Sequence, residues 1–302
     1  MNHQKWQNII KNNILADKEE PLELILAAFL ADGHVLIEDV PGVGKTTLVK
    51  YIARALGLHL SRIQFTSDLL PQEILGFNRY IQTKDEFKLI HGPIFGEIIL
   101  ADELNRAPPK TQSALLQAME EHEVTIDGKH YQLPDPFFVI ATQNPLSQIG
   151  TFPLPESQLD RFSLKINMGL PNKDSSLKLL SGIRAQDKLP QVSNFISKEE
   201  IIKDKEIVKN YAIKENLIRY INELTHASRT RNGVKPLSVR AALDVLNTAK
   251  AYAFIKGHEY VLPEHIQKVF PHVCGHRLIH PMENFQIGLE HAYKIIQDTN
   301  VI

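Results

Sequence analysis

The chain has a single cysteine, Cys274, so no disulfide can close within it, and the cysteine framework that staples small secreted domains is excluded. Charge of one sign is also lacking. Thirty-four basic residues stand against thirty-five acidic ones, a net charge of −1, which gives no overall positive field to gather nucleic acid by counterion release. Long hydrophobic runs are missing too. Met1 to Asn13 alternates polar and apolar residues without the apolar core and small-residue site of a secretory signal. Leu22 to Ala31, interrupted by Glu23, is about half of the roughly 20 residues that cross a bilayer. No membrane span is expected, and the composition reads as cytoplasmic. Thirteen histidines invite a transition-metal site, but a structural or surface role for each is the expected reading. No nucleophile signature flanks Cys274, which reads as a small packed residue, and no low-complexity tract or fixed-period repeat interrupts the chain.

What is present is 302 residues, 43% of them apolar, enough to bury a substantial core in one large domain or two ordinary ones. Five apolar runs of strand length occur in the first half: His34 to Glu38, Arg62 to Phe65, Glu97 to Ala101, Phe137 to Thr142 and Leu164 to Met168. Helix-like stretches separate them, the pattern of a mostly parallel sheet covered by helices. Two segments alternate apolar and polar residues about a turn, Tyr80 to Ile90 around Lys84-Asp85 and Glu123 to Leu133 around Asp127-Gly128, and both read as β-hairpins. Beyond Pro171 the strand-like runs stop. Ile201 to Leu224 and Arg240 to Ile255 carry helical spacing, so residues 171–302 are expected to form a helical domain behind an α/β domain over 1–170, with the boundary in the Gly169 to Asp174 cluster.

His34-Val-Leu-Ile-Glu38 followed by Asp39-Val-Pro-Gly-Val-Gly-Lys-Thr-Thr-Leu48 reads as strand, glycine loop and helix, the setting of a P-loop. Gly42, Val43 and Gly44 would turn backbone N–H groups toward phosphates, and Lys45 would supply charge to the outer ones. Thr46, followed by Thr47, would offer a hydroxyl to Mg²⁺ at the head of a helix. The first position of the loop is Asp39 where the pattern has glycine, and Asp is among the residues that tolerate positive φ. The bland alternative is a glycine-containing turn with an incidental lysine. Glu97-Ile-Ile-Leu-Ala-Asp102-Glu103 is an apolar strand ending in two carboxylates, where open α/β sheets bind ligands. Asp102 would hold Mg²⁺ and Glu103 would polarise the attacking water, although by itself such an ending equally suits a helix N-cap.

Several stretches resemble the MoxR-type ATPases of the AAA+ superfamily: Glu38 to Thr46, Phe65 to Gly76, Gly92 to Phe95, Leu100 to Glu121, Pro136 to Pro145 and Leu154 to Phe162. The likeness runs from about residue 23 to about residue 280. It implies a P-loop AAA+ core with a five-stranded sheet in the order 5-1-4-3-2, a helical C-terminal lid, ATP and Mg²⁺ as cofactors, and a homo-oligomeric ring, usually a hexamer, with sites between subunits. Asn144 matches the sensor 1 position, against a plainer role capping the turn before Pro145. Arg161 resembles the arginine finger that reaches a neighbour's ATP, against a surface ion pair. Arg240 is similar to the sensor 2 arginine and is expected to contact the γ-phosphate of its own subunit, although Pro236 to Val239 replaces the family's usual run. Ala16-Asp17 stands where the family has the Gly-Gln of its adenine pocket. Arg106 either faces the subunit interface or pairs locally, and His276-Arg277 is a lid feature of the family.

The resemblance implies an ATP hydrolase that remodels or matures a protein client in the manner of a chaperone, with a von Willebrand factor A domain protein as an expected partner. A nucleic-acid motor is the first alternative, but the Glu123 to Leu133 hairpin is not basic. A nucleotide switch without useful catalysis is the second, and Glu103 and Arg161 together argue against it.

Overall fold

The computed structural model describes residues 3–15, 17–144, 150–182 and 184–301. The chain runs through α1 (His3–Lys11), α2 (Glu19–Leu30), β1 (Val35–Glu38), α3 (Lys45–Leu56), β2 (Leu60–Gln64), α4 (Pro71–Leu75), β3 (Gly76–Ile81), β4 (Glu86–His91) and β5 (Ile98–Asp102). It continues through α5 (Pro109–Glu121), β6 (Glu123–Ile126), β7 (Lys129–Gln132), β8 (Phe138–Gln143), α6 (Glu156–Leu159) and β9 (Leu164–Ile166). Helices follow: α7 (Lys173–Leu180), α8 (Ala185–Lys188), α9 (Lys198–Lys209), α10 (Glu215–Ala227), α11 (Val239–Lys256), α12 (Pro263–Cys274) and α13 (Phe285–Asp298).

Five strands pair in parallel in the order β2-β5-β8-β1-β9, which is the expected 5-1-4-3-2 when the sheet strands are counted along the chain. Successive side chains point to opposite faces, so each strand feeds two cores. Val35, Ile37, Ile98, Leu100, Phe138 and Ile140 join α2, α3 and the C-terminal helices on one face. Leu36, Ile99, Ala101, Val139 and Ala141 pack with α5 and the hairpins on the other. Each fully buried Ile, Leu or Phe side chain stabilises the fold by about 1.5–3 kcal/mol. Both expected hairpins are present, β3–β4 and β6–β7, and Asp127 and Gly128 take the paired positive φ values, 49° and 78°, of a two-residue turn.

The run expected as Leu164 to Met168 leaves the sheet after Ile166, because the Met168 N–H is drawn away to the Asp39 carboxylate. Ile201 to Leu224 is two helices rather than one. α9 stops at Lys209, where the Asn210 side chain bonds back to the Glu206 carbonyl and carboxylate, and α10 starts anew at Glu215. The alternating N-terminal segment is a helix whose Trp6, Ile9 and Ile10 are buried. Although first in the chain, it packs with the C-terminal helices: Trp6 Nε1 donates to Asp204 Oδ2 at 2.8 Å and Lys5 pairs with Glu200. No helix among the described residues is long and apolar enough to cross a membrane, and the apolar Leu22 to Ala31 stretch lies mostly in α2, buried between the sheet and α11.

Candidate functional site

β1 delivers the chain to a turn in which Gly42 and Gly44 take φ values of 90° and 94°, conformations that L side chains rarely adopt. A Cβ on Gly44 would come within 2.9 Å of Leu15 Cδ2, a contact that side chain can relieve by moving, so the need for glycine rests on the φ. α3 then opens at Lys45, and the first-turn N–H groups at Lys45, Thr46 and Thr47 have no intrahelical acceptor. Asp39 fills the first loop position for a reason other than tolerance of positive φ, which it does not adopt. Its carbonyl accepts Lys45 Nζ at 2.7 Å, and its carboxylate accepts the Met168 N–H and so ties the loop to the end of β9. Burial raises the Asp39 carboxyl pKa, with the Met168 N–H and Lys45 acting against it. Burial likewise lowers the Lys45 pKa, opposed by Asp39, Asp102 and Glu103, so the loop lysine already feels the two carboxylates at the end of β5.

Sheet register sets that proximity. β8 lies between β1 and β5, with Glu38 opposite Gln143 and Ala101 opposite Ala141, so the carboxylates stand two strands, about 10 Å, from the glycine loop. Thr142 joins them: its hydroxyl donates to Asp102 Oδ1 at 2.7 Å and accepts the Glu103 N–H at 2.9 Å. Glu103 is held there at φ 58°, a left-handed conformation that costs a non-glycine residue on the order of 1 kcal/mol and tends to occur at functional sites. Its carboxylate accepts Asn144 Nδ2 at 3.4 Å, Gln64 Nε2 at 3.1 Å and Arg106 Nη1 at 3.0 Å. Arg106 therefore pairs locally with Glu103. Asp102 Oδ2 accepts Arg62 Nη2 at 2.7 Å.

Arg62, Gln64 and Thr142 were not singled out in the sequence. A signal existed for the first two, since polar residues two apart share one face of a strand in a sheet type whose strands are usually apolar throughout. Thr142 left no such trace.

The donor set suits the groups that the motif implies. Thr46 and Asp102 offer hard oxygen atoms of the kind Mg²⁺ takes, and the N–H groups at the head of α3 suit a phosphate chain. Beside the loop lies a cavity of about 640 Å³ lined by Leu15, Lys18, Gly44, Thr47, Ser175 and Arg184. Asp17 supports the lining residue Ser175, accepting Asn172 Nδ2 at 2.7 Å and Ser175 Oγ at 2.5 Å, and Lys18 Nζ donates to the Met168 and Gly169 carbonyls. Ala16 lies outside the described residues.

Arg161 and Arg240 stand elsewhere. Arg161 lies just before β9 and therefore at the start of the parallel strands, about 15 Å from their carboxylate ends. Its Nη2 meets Glu120 Oε2 at 2.9 Å and its Nη1 donates to the Leu116 carbonyl at 2.6 Å. Arg240, near the head of α11, meets the other oxygen of Glu120 at 3.5 Å, and both arginines line one cleft with His34 and Asp244. Arg240 thus stands beside Glu120 rather than beside the glycine loop, on a helix that packs against α2 and α12.

Among the described residues one trio, His258, Glu264 and His265, offers ligand atoms within 4.8 Å of one another. The two rings are already bonded to each other at 2.8 Å, and His265 Nδ1 accepts the Leu262 N–H at 3.0 Å. This commits His265 to a capping role. Cys274 is buried in α12, and burial pushes its thiol pKa up, away from nucleophilic use.

Comparison with known proteins agrees with this geometry. Residues 34–164 match the family model described as ATPase family associated with various cellular activities, and residues 223–299 match that of an AAA lid domain. An uncharacterised protein of Bacillus subtilis, YeaC, is 44% identical over 91% of this chain and 87% of its own. Chaperone MoxR1 of Mycobacterium tuberculosis is 39% identical over 88% of this chain and 73% of its own. A crystal structure from Cytophaga hutchinsonii, described as a candidate ATPase, superposes with a TM-score of 0.86 at 35% identity, covering 99% of this chain and 96% of that one.

Proposed function

Because the chain belongs to the MoxR-type ATPases of the AAA+ superfamily, we propose that it binds ATP with Mg²⁺ at the glycine loop and hydrolyses the β–γ bond. We further propose that it does so within a homo-oligomeric ring in the cytoplasm, a hexamer in the usual form of the family, to remodel or mature a protein client. The observation that carries the reading is the meeting of Glu103 and Asn144 at the end of β5 and β8, beside the strand that feeds the glycine loop.

Each role follows from position. Gly42, Val43, Gly44 and the first turn of α3 cradle the phosphates with backbone N–H groups, and Lys45 moves from the Asp39 carbonyl to the outer phosphates. Thr46 and Asp102 would hold Mg²⁺, which when bound neutralises charge on the β- and γ-phosphates. Arg62 shares Asp102 and must give way or bridge as the carboxylate takes up that role. Glu103 accepts a proton from the attacking water once Arg106 and Gln64 release it, and Asn144 orients that water against the γ-phosphate.

Arg161 and Arg240 serve a neighbouring copy. Their guanidinium groups share Glu120, an anion that a neighbour's γ-phosphate would replace. The client reading is drawn from the name of the mycobacterial relative, a chaperone, and a protein with a von Willebrand factor A domain is the partner class we propose.

The test is turnover of ATP by purified protein, set beside nucleotide binding by calorimetry. Lys45→Ala should lose binding, while Glu103→Gln should bind ATP without hydrolysing it. Unchanged turnover in Glu103→Gln would remove that carboxylate from the mechanism, and no association of ATP and Mg²⁺ with the unmodified protein would end the reading.

A further inference from the structure

Arg277 is the most heavily engaged cation among the described residues. Its side chain is only 6% exposed, and it gathers acceptors from three separate segments. Nε lies 2.7 Å from Asp160 Oδ1, and Nη2 donates to the Asp160 carbonyl at 2.9 Å, the Phe162 carbonyl at 3.3 Å and Asp244 Oδ2 at 2.6 Å. Nη1 donates to the Val273 carbonyl at 3.1 Å. The neighbouring ring, His276, donates from Nε2 to the same Phe162 carbonyl at 3.1 Å. Both side chains thus grip the backbone on either side of Arg161.

The second acid, Asp244, lies one helical turn beyond Arg240 on α11. The fork of Arg277 therefore ties the residue before Arg161 to the helix turn after Arg240. Its own mounting is stiff. A Cβ on Gly288 would fall 2.1 Å from the Gly275 carbonyl, so α13 bears directly on the turn that carries His276 and Arg277.

We infer that Arg277, assisted by His276, is a positioning residue that fixes Arg161 and Arg240 at one spacing, so that the C-terminal helices govern how well a subunit completes its neighbour's ATP site. The inference rests on the hydrolase reading proposed above. A planar fork suits the task because it locks distance and angle together, whereas lysine would keep the charge and lose the angle. A displacement of about 1 Å at a reacting centre can cost about a hundredfold in rate, so a modest shift of the Asp160–Phe162 backbone is enough to silence Arg161.

The variants are Arg277→Met, which removes the fork, Arg277→Lys, and Asp244→Asn, which weakens one arm without stranding a buried guanidinium. Each should bind ATP and assemble like the unmodified protein. Turnover should fall roughly 10- to 100-fold in Arg277→Met, and less in the other two. The deciding step mixes subunits. Arg277→Met retains its own Glu103 and Lys45, while Glu103→Gln retains a correctly held Arg161, so co-assembled rings contain interfaces that join a good ATP site to a good finger. Each variant alone should turn over at no more than about a tenth of the unmodified rate, and an equal mixture should recover up to roughly a quarter of it, the share of such interfaces in a randomly mixed ring.

A mixture no more active than its two components, with assembly and ATP binding intact, would overturn the inference. If Arg277→Met does not fold, Asp244→Asn takes its place in the mixture and the same two outcomes decide. Loss of ATP binding in Asp244→Asn would assign the cluster to its own subunit's site and also overturn it. Absence of turnover in the unmodified protein is a different result, which removes the hydrolase reading and this inference with it.

Discussion

The two ends of the parallel sheet are built to opposite electrostatic plans. At the end where β1 and β5 finish, two carboxylates face one lysine across about 10 Å, and the loop between them exposes helix N–H groups that the chain does not satisfy. At the other end, Arg161 and Arg240 share the single acid Glu120, and Arg277 is sunk into a nest of carboxylates and carbonyls. The first end has Lys45 at the loop, with Arg62 and Arg106 committed to its carboxylates, and the second has arginines about 15 Å from that end. Under the proposed function these two ends are halves of one site, and a second copy apposed end to end would join them, which is the physical reason to expect hydrolysis to depend on assembly.

The contrast can be broken most severely at the arginine end. Arg161→Ala should lower turnover by roughly 10³ to 10⁵, the range for fingers delivered between molecules, while leaving ATP affinity nearly unchanged. A loss of affinity equal to the loss of rate would return Arg161 to its own subunit's site. At the carboxylate end, Glu103→Gln should cost about 10² to 10⁴ in turnover, the usual share of a positioned base, with ATP retained long enough to isolate the complex. Thr142→Val sharpens the local geometry. It keeps the shape but strands both Asp102 Oδ1 and the Glu103 N–H, so unfolding free energy should drop by about 1–3 kcal/mol, read from denaturant midpoints. An unchanged midpoint would mean that Thr142 does not hold Glu103 in its left-handed conformation.

A pH dependence also falls on the arginine end, although not only there, because burial lowers the pKa values of His265 and His272 to about 4 as well. His34, fully buried at the start of β1, has its pKa pulled down to about 3 by burial, and burial holds His276 well below the usual histidine range. Both rings are neutral in the fold. Below the unfolded value near 6.5 the unfolded chain binds more protons, so their contribution is complete above that pH. It is lost as pH falls from about 6.5 toward the folded values, by at most about 1.4 kcal/mol per pH unit for each ring. Melting temperature should decline between pH 6.5 and 5, with hydrogen exchange rising around His34 and Phe162 before it rises around Gly44. Uniform exchange across both ends would contradict the assignment.

Much of the carboxylate end was legible beforehand because its signals are local. A glycine loop between a strand and a helix, and an apolar run ending in Asp102-Glu103, are written in consecutive residues, and the five strands stand out as short apolar runs bounded by polar segments. The arginine end was not legible in the same way. Arg161 and Arg240 could be named only by resemblance, and where Arg240 stands depends on how α11 packs against α2 and α12, which no window of sequence contains. Main-chain acceptors leave no residue signature, so the hold of His276 and Arg277 on Asp160 and Phe162 could not be read at all. The same is true of Thr142, whose partners are a carboxylate on another strand and a backbone N–H. The break between α9 and α10 was hidden because the helical spacing of apolar residues continues across Asn210.

The central claim, that one chain holds two halves of a site that only a second copy joins, is met most directly by measuring ATP turnover per subunit across protein concentration, with assembly followed by light scattering in the same samples. The account predicts turnover per subunit that rises with the assembled fraction while ATP affinity stays flat. Full turnover per subunit at concentrations where only monomer scatters would contradict it.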